Sequence, residues 1–526
     1  MKRRFLYLFS LTLLAACGEN TPELNKLSDN HVPMARRIQL ALKSTYLKKL
    51  GFPESTKQDL QRFYASRNYQ PLWSNDSLLT AAGEKFADLS NYPLALGIPL
   101  ERWQKLKSDS NLVSKEILLT AKFGTLLHDL KHGFLDTAAK SLNPLLLAED
   151  EDIELRKPEL DTASDVGTWL AAQGSKTLNY QQLAKAVYRE AYGKSYSSKT
   201  FKIPDVKKDS AGCYAVARQS LIDKGYLQKD APDSSFLPAL YRFQEDHGMK
   251  PDDVIGKYTA KALNESPRQE MERAVLSLER WRWREPFSSR YIWINIPEYM
   301  LRIYYNDTLF SEHNVVVGKF DTKTPQLSSR LRNIVSYPYW VVPFSITSKE
   351  FLPALKSNSG YLAKNHLRIF KSQEVEVDPT TVNWKKIRDK SFPYRCVQDP
   401  GKWNSLGIIK FEFSNSFGVY VHDTPQKHYF GKDIRSYSHG CIRCQNPDSL
   451  ARFIIRRDEQ KKFSADSLDS VLVREEHRSI PLRHPIDLKI DYITGIVNGE
   501  GKLVVLLDVY DRDLDYLKWY YAPAKS

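Results

Sequence analysis

The sequence predicts a multidomain α+β chain with three parts: a helical N-terminal scaffold, a small three-helix domain, and a β-rich C-terminal domain that carries a cap insertion. Three observations predict it. From Arg36 to about Ala191 apolar residues recur at helical spacings, as Leu118, Phe123, Leu126, Leu127 and Leu130 do. Near 210 to 266 two short amphipathic stretches and a third are separated by turns. After 290 the period falls to two, and 291–295, 301–305, 314–317, 334–342, 407–413 and 418–421 read as strands between Gly, Asn and Pro turns. At 526 residues the chain has room for several cores.

The chain begins Lys2-Arg3-Arg4 and continues with an apolar run from Phe5 to Ala16. A basic start before a short apolar run is a signal-peptide pattern, too short to span a bilayer. The run ends Leu14-Ala15-Ala16-Cys17, which resembles a bacterial lipobox. That resemblance implies a lipoprotein signal peptide over 1–16 and lipidation of Cys17; the alternative is an ordinary secretory signal with an incidental cysteine. Two or more acyl chains hold a protein on a membrane where one does not. The expected location is therefore the periplasm or cell envelope, anchored by lipid. Residues 17–33 are polar and read as a tether.

Residues 34–205 form the expected scaffold, with an aromatic turn at Phe63-Tyr64 and Asn68-Tyr69-Gln70-Pro71-Leu72-Trp73. Nothing in it carries catalytic chemistry, and it reads as a packing domain. Residues 206–268 form the small domain. Glu279-Arg280-Trp281-Arg282-Trp283-Arg284 then bridges to the β-rich part, its Arg and Trp suited to stacking and cation–π packing. Residues 269–526 form the last domain, with a cap at about 345–404 in which Tyr361, Trp403 and Asn404 are placed to line a site. Asn446-Pro447 reads as a helix start, an N-cap residue followed by proline at the first helical position.

Net charge is +14, which suits an anionic polymer or an anionic membrane surface. Nucleic acid is set aside, because no stretch interleaves clustered Lys and Arg with a binding motif. Cysteine occurs at 17, 213, 396, 441 and 444, too few to imply a disulfide framework.

The chemistry concentrates in 422–443. A cysteine is strongly nucleophilic only as the thiolate, so Cys441 needs a base or positive charge beside it. Histidines at 422, 428 and 439 lie in the same stretch. Gly440 lets the backbone turn sharply, and its amide and that of Cys441 are candidates for an oxyanion hole. Two other readings stand beside catalysis. The cysteine and histidines could be core residues, or His422, His439, Cys441 and Cys444 could hold zinc, although that cluster inside a glycine turn has poor tetrahedral spacing. Cys441 and Cys444 also have the C-x-x-C spacing of thiol oxidoreductases, so Cys444 is a candidate resolving thiol or a small buried side chain. No cofactor or metal is expected.

His-Asp-Thr-Pro at 422–425 and Ser-His-Gly-Cys-Ile-Arg at 438–443 resemble the signature of the L,D-transpeptidases, the YkuD-type catalytic domain that cross-links peptidoglycan. Val316-Val317-Gly318-Lys319 with Lys323-Thr324-Pro325, the run from Asn68 to Trp73 and Lys131-His132-Gly133 resemble the large periplasmic multidomain members. Phe243-Gln244, His247-Gly248, Ile255-Gly256 and Ala262-Leu263-Asn264 are similar to the three-helix peptidoglycan-binding domain. In that family glycine usually follows Asp252, whereas here Asp253 does, a residue that tolerates a left-handed turn.

The resemblance implies that Cys441 is the nucleophile, His422 the base and the Asp423 backbone carbonyl its orienter, with Gly440 in the oxyanion hole. Ser438, His439 and Arg443 would shape the donor site, Arg443 as partner for a peptide carboxylate. The implied activity attacks a tetrapeptide stem, expels D-alanine and resolves the thioester with a second stem's amine to give a 3→3 cross-link; carbapenems would acylate Cys441. Implied partners are peptidoglycan stem peptides and glycan, the membrane through the lipid anchor, and other cell-wall enzymes. The alternatives are an L,D-carboxypeptidase, a protein-anchoring acyltransferase, and a non-catalytic peptidoglycan-binding scaffold.

Overall fold

Side-chain alternation in the C-terminal half builds one large sheet, and the site follows from its register. The computed structural model describes residues 26–29, 31–52, 54–100, 111–133, 135–136, 141–142, 166–284, 287–358, 360–372, 375–458 and 463–521. The predicted signal peptide, Cys17 and most of the predicted tether lie outside the described residues. Two compact units emerge, one of residues 1–176, 180–195 and 281–283, the other of 177–179, 196–280 and 284–526. Among the described residues no helix is long and apolar enough to cross a membrane.

In the first unit α1 (Met34–Lys43), α2 (Glu54–Ser66), α3 (Ala81–Leu89), α4 (Leu112–His132), α5 (Val166–Gln173) and most of α6 (Leu178–Ala191) are helical, as their periodicity predicts. Trp73, Phe86 and Phe123 meet edge to face or stacked at centroid distances of 5.0 to 5.2 Å. The aromatic turn is pinned by a buried carboxylate the periodicity does not reveal. Glu116 on α4 accepts hydrogen bonds from the Leu72 and Trp73 amides at 2.6 and 2.9 Å and from the Tyr64 hydroxyl at 2.9 Å. Burial raises its pKa, and those bonds counter the rise.

The second unit opens with α7 (Ser210–Asp223), α8 (Phe236–Asp246), α9 (Lys257–Asn264) and α10 (Pro267–Arg282). Cys213, Leu221, Leu240, Phe243 and Leu263 share one apolar cluster with strand residues such as Ile294, Val317 and Phe411, so the three-helix domain is packed into the larger body. Gly248 has φ +71°, and a Cβ there would lie 2.6 Å from Leu506 Cδ2, which leaves no space for a side chain where the helices meet the C-terminal segment. Asp253 is not left-handed: the described positive-φ residues do not include it. Its carbonyl accepts the Tyr214 hydroxyl at 3.1 Å, its carboxylate accepts the Tyr241 hydroxyl, and Gln244 holds the turn by accepting the Asp252 amide at 2.8 Å.

An ionic cluster ties these helices. Glu270 on α10 pairs with Lys224 and, at 3.2 Å, with His247. Burial alone would raise the Glu270 pKa, but His247 and Lys224 outweigh it and hold it down to about 2. A carboxylate depressed in the fold contributes stability above its ordinary value of 4.5 and loses it as pH falls toward 2. Glu270→Gln is therefore expected to unfold at lower urea than the parent at pH 7, by up to about 3 kcal/mol, and to match it near pH 2. An equal gap at both pH values would contradict this.

The strands of the main sheet and the cap sheet are β1 (Arg290–Asn295), β2 (Met300–Tyr305), β3 (Thr308–Gly318), β4 (Leu327–Ser336), β5 (Trp340–Val341), β6 (Leu367–Phe370), β7 (Glu376–Val377), β8 (Arg395–Gln398), β9 (Ile409–Phe413), β10 (Val421–His422), β11 (Ser436–Ser438), β12 (Ile442–Cys444) and β13 (Arg478–Asp491). The main sheet runs β11-β3-β12-β10-β9-β4-β13-β1-β2, and β2 also pairs with β3, closing the order into a ring. Helix α11 (Pro447–Arg457) follows β12 and buries Leu450, Ala451, Ile454 and Ile455. Asn446 does not cap it as predicted: it is left-handed at φ 50°, and its side chain makes no cap hydrogen bond. Pro447 alone supplies the helix start.

The cap has its own apolar core of Phe351, Leu352, Leu362, Ile369, Trp384 and Cys396, under the small sheet β5-β8-β6-β7. Trp340 and Leu406 belong to the same cluster, so it reaches past both ends of 345–404.

Candidate active site

Register places the chemistry on one face of the sheet. Strands β10 and β12 run parallel, with Val421 opposite Ile442 and His422 opposite Arg443. The Ile442 amide donates to the Tyr420 carbonyl at 3.0 Å, so Cys441 sits beside Tyr420. On the other side β9 runs antiparallel with Lys410 opposite His422. Because side chains alternate, Lys410, Glu412, Tyr420, His422, Cys441 and Arg443 share one face, while Ile409, Phe411, Val421, Ile442 and Cys444 enter the core.

The His422 ring bonds through Nδ1 to the Asp423 carbonyl. A carbonyl only accepts, so Nδ1 carries the proton and Nε2 keeps its lone pair. Burial first, then the charge of Arg443 and of Lys410, bring the imidazole pKa down to about 3, against the opposing Asp423 and Leu406 carbonyls. It is a neutral imidazole at any ordinary pH. The Asp423 carboxylate is itself fixed, accepting the Ile408 amide at 3.0 Å and pairing with Lys427.

Cys441 is half-buried. Burial raises its pKa, and the Tyr420 backbone and phenol, Lys410 and Arg443 pull it back. Tyr420 packs beside Cys441 and against the apolar cluster of the cap that holds Trp340. Burial drives the Tyr420 pKa well up, so this phenol stays protonated.

The loop before Cys441 is held from several sides. Ser438 Oγ donates to the Cys441 carbonyl at 2.5 Å and accepts the Gly440 amide at 3.1 Å. Thr324 Oγ1 donates to the Gly440 carbonyl at 2.8 Å. Gly440 has φ +117°, a conformation that favours glycine. Its amide is already donated to Ser438, which corrects the expectation that it serves an oxyanion. His439 bonds Glu350 of the cap at 2.5 Å. Arg443 Nη1 donates to Gln426 at 2.6 Å, with its guanidinium 5.6 Å from the Tyr429 ring centroid.

Three cap residues have other partners in the structure. Asn404 is fully buried, its amide spent on the Pro338 and Asp399 carbonyls at 3.1 and 2.9 Å and its carbonyl oxygen on the Leu406 amide at 2.8 Å. It is a turn fixture and not a substrate contact. Trp403 is 47% exposed and stacks on His366 at 4.2 Å. Tyr361 packs on Phe351 at 5.5 Å within the cap. Cys444 is fully buried on the far face from Cys441, so it neither masks that thiol nor joins it at a metal. The residues that sequence reasoning missed are Tyr420, Trp340 and Lys410. Tyr420 was within reach, two residues before His422 and so on its face.

The ring of strands thus carries a cysteine and a histidine oriented by a backbone carbonyl on one sheet face. Residues 289–459 match the family model for the L,D-transpeptidase catalytic domain, YkuD, and residues 58–189 match a scaffold domain model. Over residues 289–459 the chain is therefore similar to the L,D-transpeptidase catalytic domain. A Haemophilus influenzae protein provisionally named an L,D-transpeptidase is 32% identical over 222 residues, which are 42% of this chain and 44% of that relative. The crystal structure of the L,D-transpeptidase (residues 123–326) from Xylanimonas cellulosilytica aligns at 12% identity over 57% of this chain and 98% of that one, with a TM-score of 0.17, too low to carry an argument.

Proposed function

We propose that this protein forms 3→3 peptidoglycan cross-links through a thioester on Cys441. The observation that carries the reading is the neutral His422, proton on Nδ1 and lone pair on Nε2, on the same sheet face as Cys441 in the region similar to the L,D-transpeptidase catalytic domain. His422 Nε2 takes the thiol proton, the thiolate attacks the carbonyl of the third stem residue, and the terminal D-alanine leaves with the proton. The Cys441 amide is the remaining backbone donor for the developing oxyanion, since the Gly440 amide is taken. An amine of a second stem then displaces the sulfur. Arg443 suits a stem carboxylate, and the lipid anchor at Cys17 would hold the enzyme at the periplasmic or cell-envelope membrane.

A cap beside the nucleophile would favour aminolysis over hydrolysis, and its contact with the nucleophile loop through His439 and Glu350 supports that reading. The test is chromatographic analysis of products from purified disaccharide tetrapeptide. Cross-linked dimers support the transpeptidase; tripeptide alone would assign an L,D-carboxypeptidase. The His439–Glu350 pair is half exposed and worth no more than about 1 kcal/mol. Glu350→Gln is thus expected to raise donor KM by about fivefold or less, and a loss on the order of a hundredfold in kcat would contradict a purely cap-holding role.

A further inference from the structure

We propose that Lys410 is a positioning residue that sets the charge beside the nucleophile: its ammonium, tethered by Glu412, lies over the Tyr420 ring and favours the Cys441 thiolate. This rests on the reading of Cys441 as nucleophile. Lys410 stands opposite His422 in the β9–β10 register, on the face that carries Cys441. Its Nζ lies 4.4 Å from the centroid of the Tyr420 ring and 2.8 Å from Glu412 Oε1. The Lys410 side chain is only 18% exposed, so its charge acts with little screening.

Tyr420 is the neighbour of Cys441 across the parallel pair, so the ammonium lies against the residue next to the sulfur. A cation against the ring draws electron density from the phenol and adds its positive field on the face that carries Cys441. The arrangement uses a cation on a strand other than those of the nucleophile and base. When the thiol ionises, its proton passes to His422 Nε2 and the negative charge on sulfur faces Tyr420, Lys410 and Arg443. The charged and titratable groups around that sulfur are Lys410 and Glu412 from β9, Tyr420 and His422 around β10, Arg443 from β12, and His439 with Glu350 from the loop and cap. Of the cations on strands, Arg443 is bonded away to Gln426 beside Tyr429, whereas Lys410 stacks directly on Tyr420, the cross-strand neighbour of Cys441.

The experiment measures the rate of iodoacetamide alkylation of Cys441 against pH, by intact mass, in the full chain and in Lys410→Met, Lys410→Gln and Lys410→Arg. Cys441→Ala supplies the background from the other cysteines. Loss of the ammonium is expected to raise the alkylation midpoint by about one pH unit in Lys410→Met and Lys410→Gln. Lys410→Arg, which keeps a cation able to stack, is expected to stay within a few tenths of a unit of the parent. Lys410→Gln keeps much of the stem's packing, so the result does not hang on Lys410→Met folding. An unmoved midpoint in Lys410→Gln, or an equal rise in Lys410→Arg, overturns the proposal. If Cys441 of the parent alkylates no faster than background, the nucleophile reading fails, which is a different outcome.

Discussion

Cys441→Ala and His422→Ala each lose at least about four orders of magnitude in turnover of disaccharide tetrapeptide, while Cys441→Ala keeps the parent's unfolding curve. The two losses are expected to be non-additive, because the histidine has no function without the thiol it deprotonates. The expectation follows from the site's resting state. With the imidazole pKa near 3 and the thiol raised by burial, the pair rests neutral, and the thiolate forms only as the proton moves to Nε2. His422→Ala removes the acceptor for that proton and leaves the buried thiol to ionise alone. Steady-state release of D-alanine checks it. Parent-like rates in either variant would remove Cys441 or His422 from the mechanism.

The second large effect is on stability. Arg273 on α10 is buried and bonds Glu265 at 2.6 Å and Asp513 at 3.3 Å. Arg273→Met leaves the buried Glu265 without its cation, while Asp513 keeps Arg280, and breaking such a pair costs roughly 3–5 kcal/mol. The network reaches the site through a hydrogen-bonded run. The Asp513 amide donates to Asp508 at 2.9 Å, the Tyr492 hydroxyl to Asp508 at 2.5 Å, and the Tyr510 amide to the Tyr492 hydroxyl at 2.9 Å. The Tyr510 hydroxyl then donates to the Gly318 carbonyl at 2.6 Å and accepts the Thr324 amide at 3.3 Å, and Thr324 holds Gly440. Urea unfolding of Arg273→Met is expected to show a lower midpoint at an unchanged slope. Parent-like stability would show that the ion network is replaceable.

The legible and illegible parts of this chain separate by the range of the interaction. The strands at 291–295 and 301–305 were legible because alternation is local, and His422 with Cys441 because two motifs mark them. The cap's part was not legible: Trp340 reaches Tyr420 across 80 residues of sequence, and no spacing rule connects an indole with a phenol. Ring closure through β2 and β3 was equally hidden, since strand order is not a property of any one segment. Asn404 and Asn446 misled because asparagine suits a binding site or an N-cap as readily as the tight turn and left-handed residue they are here. Cys444 was readable in principle. Once the stretch after Gly440 is a strand, residues 441 and 444 differ by an odd number and must face opposite ways; the C-x-x-C spacing drew attention to a loop geometry the strand forbids.

The central claim is that Cys441 carries the stem as a thioester. Intact-mass analysis of the chain mixed with purified disaccharide tetrapeptide tests it most directly, with Cys441→Ala beside it. An adduct of the donor minus D-alanine on the parent and none on the variant is the predicted result. An unmodified parent with no D-alanine released, or an equal adduct on Cys441→Ala, would contradict it.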